Sequence, residues 1–207
     1  MEAVAIGPDG LARCPWADST DDYRRYHDTE WGVPVHGDVA LLERITLEAF
    51  QSGLSWLTIL RKREAFRSAF ADFDPMVVAG YGERDVQRLM ADAGIVRNRR
   101  KIDATITNAR ALLDLQDSGL TLDELVWSYA PASRARPVSL TDVPAVTPES
   151  TALSKGLKAR GFVFVGPTTM YAAMQACGLV DDHLADCHVP PAPSQPAGAG
   201  RGGGAPG

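Results

Sequence analysis

Several ordinary features are scarce in this sequence, and each scarcity excludes something. No run of about 18 apolar residues occurs, so no membrane-spanning helix is expected. The N-terminus has no basic region followed by an apolar stretch, so no secretory leader is expected either. There are only three cysteines, Cys14, Cys177 and Cys187. So small and odd a number does not make a disulfide framework. It fits a reducing cytoplasm, where thiols are free, catalytic or metal-bound. Positive charge is also short, with 21 basic against 26 acidic residues and a formal charge of −5. A uniformly basic surface for non-specific nucleic-acid binding is thereby excluded, and only local clustering could provide one. What is present suffices for one core: 45% of the 207 residues are hydrophobic and 23% charged, which excludes a wholly disordered chain.

The organisation is simple. The segment Pro190 to Gly207 has 15 Pro, Gly or Ala among its 18 residues and is expected to be disordered. Met1 to Ala12 is expected to be loose, leaving residues 13–189 as one domain. That domain reads as all-α. Asp38 to Ser52 is apolar on most sides and stops at Gly53. Ser55 can cap a helix to about Phe70, and Asp74-Pro75 opens a short one. Glu83 to Ala93 precedes Gly94, Asn98 to Gln116 follows at once, and Thr121 to Tyr129 is next. After a longer loop over 133–146, Thr147-Pro148 opens a helix closing at Gly161, and Thr168 to Cys177 is the last. Val163 to Val165 is strand-like but too short to make a sheet.

Two pairs of metal-ligating residues stand near the ends of that domain. Cys14 and His27 are separated by 12 residues, and His183 and Cys187 by three. The second spacing brings both side chains onto one helical face, or within reach of one ion in a tight loop. Two thiolates and two imidazoles satisfy tetrahedral zinc and leave no position open, which means structure rather than catalysis. Four unrelated residues would carry the same pattern, and His36 or His188 could substitute for a ligand. Cys177 lies in an apolar helix and reads as a core thiol.

Glu48 is an acid in a helix otherwise rich in Leu, Ile, Ala and Phe. An acid beside an apolar face is costly without a partner. Arg44, four residues earlier, offers a surface ion pair as the alternative to a functional role. Tyr23, Tyr26, Trp31 and Trp56 could stack on a ligand or simply fill the core. Trp56 follows the Gly53-Leu54-Ser55 turn and can face the same space as Glu48. A stacking aromatic beside a carboxylate suits a flat base that carries positive charge.

Gly94-Ile95-Val96-Arg97 joins two helices in very few residues. Such a turn can aim several backbone N–H groups at a phosphate, helped by the dipole of the next helix. Arg97, Arg99, Arg100 and Lys101 follow at once, and Arg61-Lys62-Arg63 and Lys155, Lys158, Arg160 are further clusters. They fit either a nucleic-acid surface or solvated helix faces.

Several stretches together, CPWADSTDDYRRYHDTEWGVP, LEAFQSGLSWLTILRKREAFRSAF, DAGIVRNRRKI, SKGLKARGFVFVGPTTMYAAMQACGLVDDH and the following Cys187, make the sequence resemble the bacterial 3-methyladenine DNA glycosylase I family. The resemblance covers most of residues 13–188. It implies an all-α fold of the helix–hairpin–helix glycosylase type, with structural zinc on Cys14, His27, His183 and Cys187 tying the two ends together. It implies that Glu48, ionised, contacts the extruded base in a pocket shaped by Tyr23, Tyr26 and Trp56. Gln51 and Leu54 would face the gap left in the duplex. Gly94, Val96, Arg97 and Arg99 would grip the DNA backbone. The implied activity is monofunctional: hydrolytic release of 3-methyladenine from alkylated double-stranded DNA by a monomer, leaving an abasic site. After the acid the family usually has Gly-Gln-Gln-Ala-Gly. Here the run is Ala49-Phe50-Gln51-Ser52-Gly53, and its departures at Phe50 and Ser52 bear on the shape of the lesion-facing surface. Many glycosylases of this type use an Asp some 20 residues beyond the hairpin. Asp114 and Asp117 lie near that distance, but this family is not expected to use one. Two other readings compete. A zinc-stapled DNA-binding module would need neither Glu48 nor Trp56, and a zinc hydrolase would need an open coordination position.

Overall fold

Leu41, Leu42, Ile45, Leu47, Ala49 and Phe50 make most of the surface of the helix that carries them apolar, so it must be covered on most sides. The structure, a computed structural model, describes residues 4–191 and builds the fold around that helix. In chain order its main elements are strands β1 (Ala5–Ile6) and β2 (Ala12–Arg13), then helices α1 (Asp21–Thr29), α2 (Asp38–Gln51), α3 (Trp56–Ala69), α4 (Pro75–Ala79), α5 (Glu83–Ala91), α6 (Arg99–Asp117), α7 (Leu122–Trp127), α8 (Pro148–Ala159) and α9 (Pro167–Ala176). Helix α2 is the central one, packed by α3, α6, α7 and α9. All six of its residues named above are at most 5% exposed. Among the described residues no helix is long and apolar enough to cross a membrane.

The helix starts follow the sequence signals. Ser55 Oγ accepts from the Thr58 amide, Asp74 from Met76 behind Pro75, and Asn98 from Lys101. Thr121 and Glu124 form a reciprocal capping box. Some expectations need correction. The fold is mostly helical, and to the expected helices it adds two strands of two residues, β1 and β2, paired antiparallel. The segment expected to be loose up to Ala12 is therefore structured from Ala5. Arg13 fixes that hairpin, bonding both Asp9 and Asp28. Helix α1, unread in the sequence, carries Tyr23, Tyr26 and His27 on one face. Helix α5 stops at Ala91, short of Gly94, and Asp92 rather than the glycine follows it. The strand-like patch 163–165 is a turn in which Phe164 takes a left-handed φ of 56°. The tail expected to be disordered lies outside the described residues from position 192 onward.

Gly178 (φ 73°) shows why one turn cannot carry a side chain. A Cβ there would stand 2.7 Å from both the Gly32 carbonyl oxygen and the Pro34 nitrogen. The close approach lets the Val35 amide reach Cys177 O at the end of α9. Segment 31–35 is thereby held against α9, and with it the indole of Trp31 that borders the site.

Candidate active site and metal cluster

Helices α1, α2, α3 and α9 meet around a pocket of about 310 Å³. Tyr23 and Tyr26 reach it from α1, Glu48 and Gln51 from α2, and Trp56 from the first turn of α3. Trp16 and Trp31 close one wall. Leu140 and Val143 close another, with Ala172, Gln175 and Asp182. The rings pack in two groups. Trp16 lies 5.0 Å from both Tyr23 and Trp31, and Tyr26 lies 5.4 Å from Trp56. A pocket of this size and lining suits a flat aromatic ligand.

Glu48 is 5% exposed, and its Oε2 has no hydrogen-bond partner. The surface ion pair with Arg44 does not form, because Arg44 turns to Glu30 at 3.4 Å, and Glu30 also holds Arg63. Burial pushes the Glu48 carboxyl up to about 8, with Arg44 opposing only in part. A carboxyl held that high favours its protonated form in the free pocket, while the ionised Glu48 expected from the sequence belongs to the pocket with a cationic base in it. The Trp56 indole N–H is likewise buried without a partner. An acceptor and a donor, both desolvated and unsatisfied beside an aromatic cavity, are costly to the folded protein. A ligand with complementary groups removes that cost. Burial, and then the Glu48 charge, raise the phenol pKa values of Tyr23 and Tyr26, so both stay neutral.

Other acids near the pocket are already committed. Asp182 accepts from Tyr171, Gln175 and Arg134, so it has a wall role. Asp114 and Asp117 are exposed on α6, away from the pocket. No lysine lines the pocket among the described residues. The Phe50 departure points inward. It is fully buried with its ring 4.7 Å from Phe66, so it does not touch the lesion-facing surface. Leu54 is 42% exposed in the turn between α2 and α3.

Cys14, His27, His183 and Cys187 come together with their ligand atoms all within 4.8 Å of one another. Cys187 Sγ is 3.6 Å from His27 Nε2 and from His183 Nδ1. A tetrahedral ion with Zn–S near 2.3 Å and Zn–N near 2.0–2.1 Å separates S from N by about 3.6 Å. The donor set and spacing fit such an ion. The partners behind the ligands fit too. His27 Nδ1 meets Asp28 at 2.8 Å, His183 Nε2 meets Trp31 O at 3.1 Å, and the Leu184 amide donates to Cys14 Sγ. Within the buried thiol pair, contact with Cys14 is the main cause that lowers the Cys187 thiol below its ordinary value. The cluster abuts the pocket: Trp31 lies 4.7 Å from His183, and Trp16 lies 5.2 Å from His27. His188 pairs with Asp28, and His36 with Asp123 on the far side of α2, so neither substitutes as a ligand of this cluster. Cys177 is a core thiol, pushed up to about 12 by burial.

The turn between α5 and α6 is as tight as its sequence suggests. The Gly94 amide donates to Asp92, and Lys62 Nζ donates to the carbonyls of Ala93 and Gly94. A Cβ on Gly94 would lie 3.0 Å from that of Ala65, so the turn packs on α3. The Val96 and Arg97 amides donate to no acceptor among the described residues. The basic cluster, however, divides. Arg99 is paired with Glu83 and Asp103. Lys101 is buried, donating to Phe50 O and Ser52 O at 2.8 Å each. Among the described residues Arg97 and Arg100 have no acid partner, and neither do Lys155, Lys158 and Arg160 around the end of α8. The net negative charge thus conceals cations without an acid partner at the start of α6 and around the end of α8.

Comparison with known proteins agrees with this geometry. The methyladenine glycosylase family model matches residues 16–190. DNA-3-methyladenine glycosylase 1 of Escherichia coli (strain K12) is 48% identical over 179 residues, spanning 86% of this chain and 96% of that protein. A crystal structure of a 3-methyladenine DNA glycosylase I superposes with a TM-score of 0.83 at 47% identity, covering 85% of this chain and 98% of the other. The 3-methyladenine DNA glycosylase I of Staphylococcus aureus, solved to define 3-methyladenine recognition, gives the same score at 36% identity over 88% and 98% of the two chains. With its aromatic pocket around a buried acid, this chain belongs to the methyladenine glycosylase family.

Proposed function

We propose that this protein is a monofunctional DNA glycosylase of the helix–hairpin–helix type, which extrudes 3-methyladenine from alkylated duplex DNA and hydrolyses its N-glycosidic bond. The observation that carries the reading is the buried, unpartnered Glu48 carboxyl among Tyr23, Tyr26 and Trp56. Methylation at N3 leaves the base cationic, so the bond from N9 to the sugar is already weak. The site's task is recognition. On arrival of the cation, the Glu48 proton leaves to solvent, and the carboxylate pairs with the charge or with the exocyclic amine. Neutral adenine offers no such compensation. The N9–C1′ bond breaks with its electron pair passing to the base, water adds to C1′ and gives up a proton, and an abasic site remains. Without a lysine in the pocket, no Schiff base forms and the strand stays intact.

Two groups support the chemistry from outside. A zinc ion on Cys14, His27, His183 and Cys187 would supply a rigid structural crosslink. Through Trp16 and Trp31 that crosslink steadies one wall of the pocket. The 94–97 turn, with the free amides of Val96 and Arg97 and the unpaired Arg97 and Arg100, grips phosphate. Gln51 and Leu54 face the vacated duplex. Arg99 contributes only by exchanging its carboxylate partners for phosphate. Reduced, buried thiols fit the cytoplasm, and a monomer provides every group needed. The test is to incubate purified protein with alkylated duplex DNA and identify the bases released. Release of 3-methyladenine without strand cleavage is expected. DNA binding with no base release would favour the module without chemistry.

A further inference from the structure

We propose that Phe164 is a DNA-contacting aromatic residue, held out of the core by the 162–165 turn so that its ring stacks on a base or sugar of the duplex beside the extruded nucleotide. The inference rests on the glycosylase reading and adds a residue to it. The turn is pinned on both sides of Phe164. The buried side chain of Asn108 takes both backbone groups of Val163, accepting from its N–H at 2.8 Å and donating to its C=O at 3.1 Å. Ser154 Oγ donates to Val165 O at 2.6 Å, and Phe162 and Val165 are buried. Between these anchors Phe164 is forced to φ 56°, a left-handed conformation that disfavours a bulky side chain. Phe164 is 38% exposed, and among the described residues its ring pairs with no other aromatic ring. A glycine would relieve the backbone, and a polar residue would suit the exposure. Neither core packing nor local conformation therefore accounts for a phenylalanine at this position.

Its surroundings indicate the partner. The guanidinium of Arg100, which has no acid partner, lies 6.0 Å from the ring centroid. The next residue, Lys101, bonds Ser52 O in the turn that leads to the exposed Leu54. The first turn of α6 thus brings the 52–54 turn and the 162–165 turn to the same end of the fold. An exposed ring next to an unpaired arginine is the combination that holds unstacked nucleic acid, where the cation meets phosphate and the ring meets a base face. An extruded nucleotide leaves such a face open in the duplex.

The experiment compares wild type, Phe164→Ala and Phe164→Tyr. It reads affinity for a duplex with one abasic site, binding of free 3-methyladenine, thermal stability, and the fluorescence of 2-aminopurine placed beside the abasic site. Phe164→Ala is expected to weaken abasic-duplex binding roughly 5- to 100-fold, as loss of one stacked base does. It should also abolish the 2-aminopurine change while leaving free-base binding and melting temperature near wild type. Phe164→Tyr should retain wild-type behaviour. Unchanged duplex affinity in Phe164→Ala would overturn the proposal. So would a parallel loss of stability and free-base binding, which would give the ring a purely structural role. Base release by wild type is scored separately, so failure of the glycosylase reading is distinguishable from failure of this one.

Discussion

Replacing Glu48 with Gln should stabilise the protein at neutral pH while impairing excision, and the pH dependence of the stabilisation follows from the structure. Burial holds the folded-state carboxyl near 8, against an ordinary value of 4.5. This is a raised pKa on an acid, so between those values the folded chain binds a proton that the unfolded chain has released. Stability therefore falls as pH rises through that window. Relative to low pH the loss is roughly 1 kcal/mol at pH 5 and on the order of 4 kcal/mol at pH 7.5, taking about 1.4 kcal/mol per pKa unit. Gln does not titrate. Any fixed effect of its amide cancels when two pH values are compared, as do the other titrating groups. Urea unfolding of wild type and Glu48→Gln at pH 5 and pH 7.5 should show the stability difference moving toward Gln by about 3 kcal/mol. A difference that stays constant within about 0.5 kcal/mol would refute the assignment of a buried, protonated acid. In single-turnover assays the same variant should release 3-methyladenine roughly 10- to 1000-fold more slowly while still binding DNA, since phosphate contacts supply most of that affinity.

Other outcomes follow from the same geometry. The purified protein should contain one zinc per chain by elemental analysis. Cys187→Ala or chelation should lower stability by several kcal/mol and disturb tryptophan fluorescence through Trp16 and Trp31, while zinc-free protein of unchanged stability would contradict the site. Arg97→Gln combined with Arg100→Gln should reduce the salt dependence of DNA binding by about two units of slope, whereas Arg99→Gln, whose charge is already answered by Glu83 and Asp103, should change it by less than one. Lys101→Met leaves the Phe50 and Ser52 carbonyls without their donor and should cost about 2–3 kcal/mol in urea unfolding; a loss of DNA affinity without a loss of stability would instead make it a phosphate contact.

Local signals made most of the helices legible in the sequence. Ser55, Asp74, Asn98, Thr121 and Thr147 cap helices through bonds that span only two or three residues, and such bonds are written in adjacent sequence. The gathering of Cys14, His27, His183 and Cys187 was legible too, because few residue types ligate soft ions and their pair spacings are short. Helix α1 was missed because its buried face is made of Tyr and His rather than aliphatic residues. The lining by Leu140, Val143, Gln175 and Asp182 was missed because nothing in their neighbourhoods marks them.

What the sequence by itself determined is most of the helices, the Cys/His quartet and the acid, since each depends on residue type and near-neighbour spacing. What only the tertiary structure decided is how each charge is used. Arg44 could serve Glu48 or Glu30, and the fold gave it to Glu30, leaving Glu48 buried and protonated. Arg97, Arg99, Arg100 and Lys101 are alike in sequence. Yet Arg99 is matched by acids and Lys101 is spent on backbone carbonyls, while Arg97 and Arg100 remain free. The physical reason is that a charge's strength depends on burial and on partners within a few ångströms, and long-range packing alone sets both.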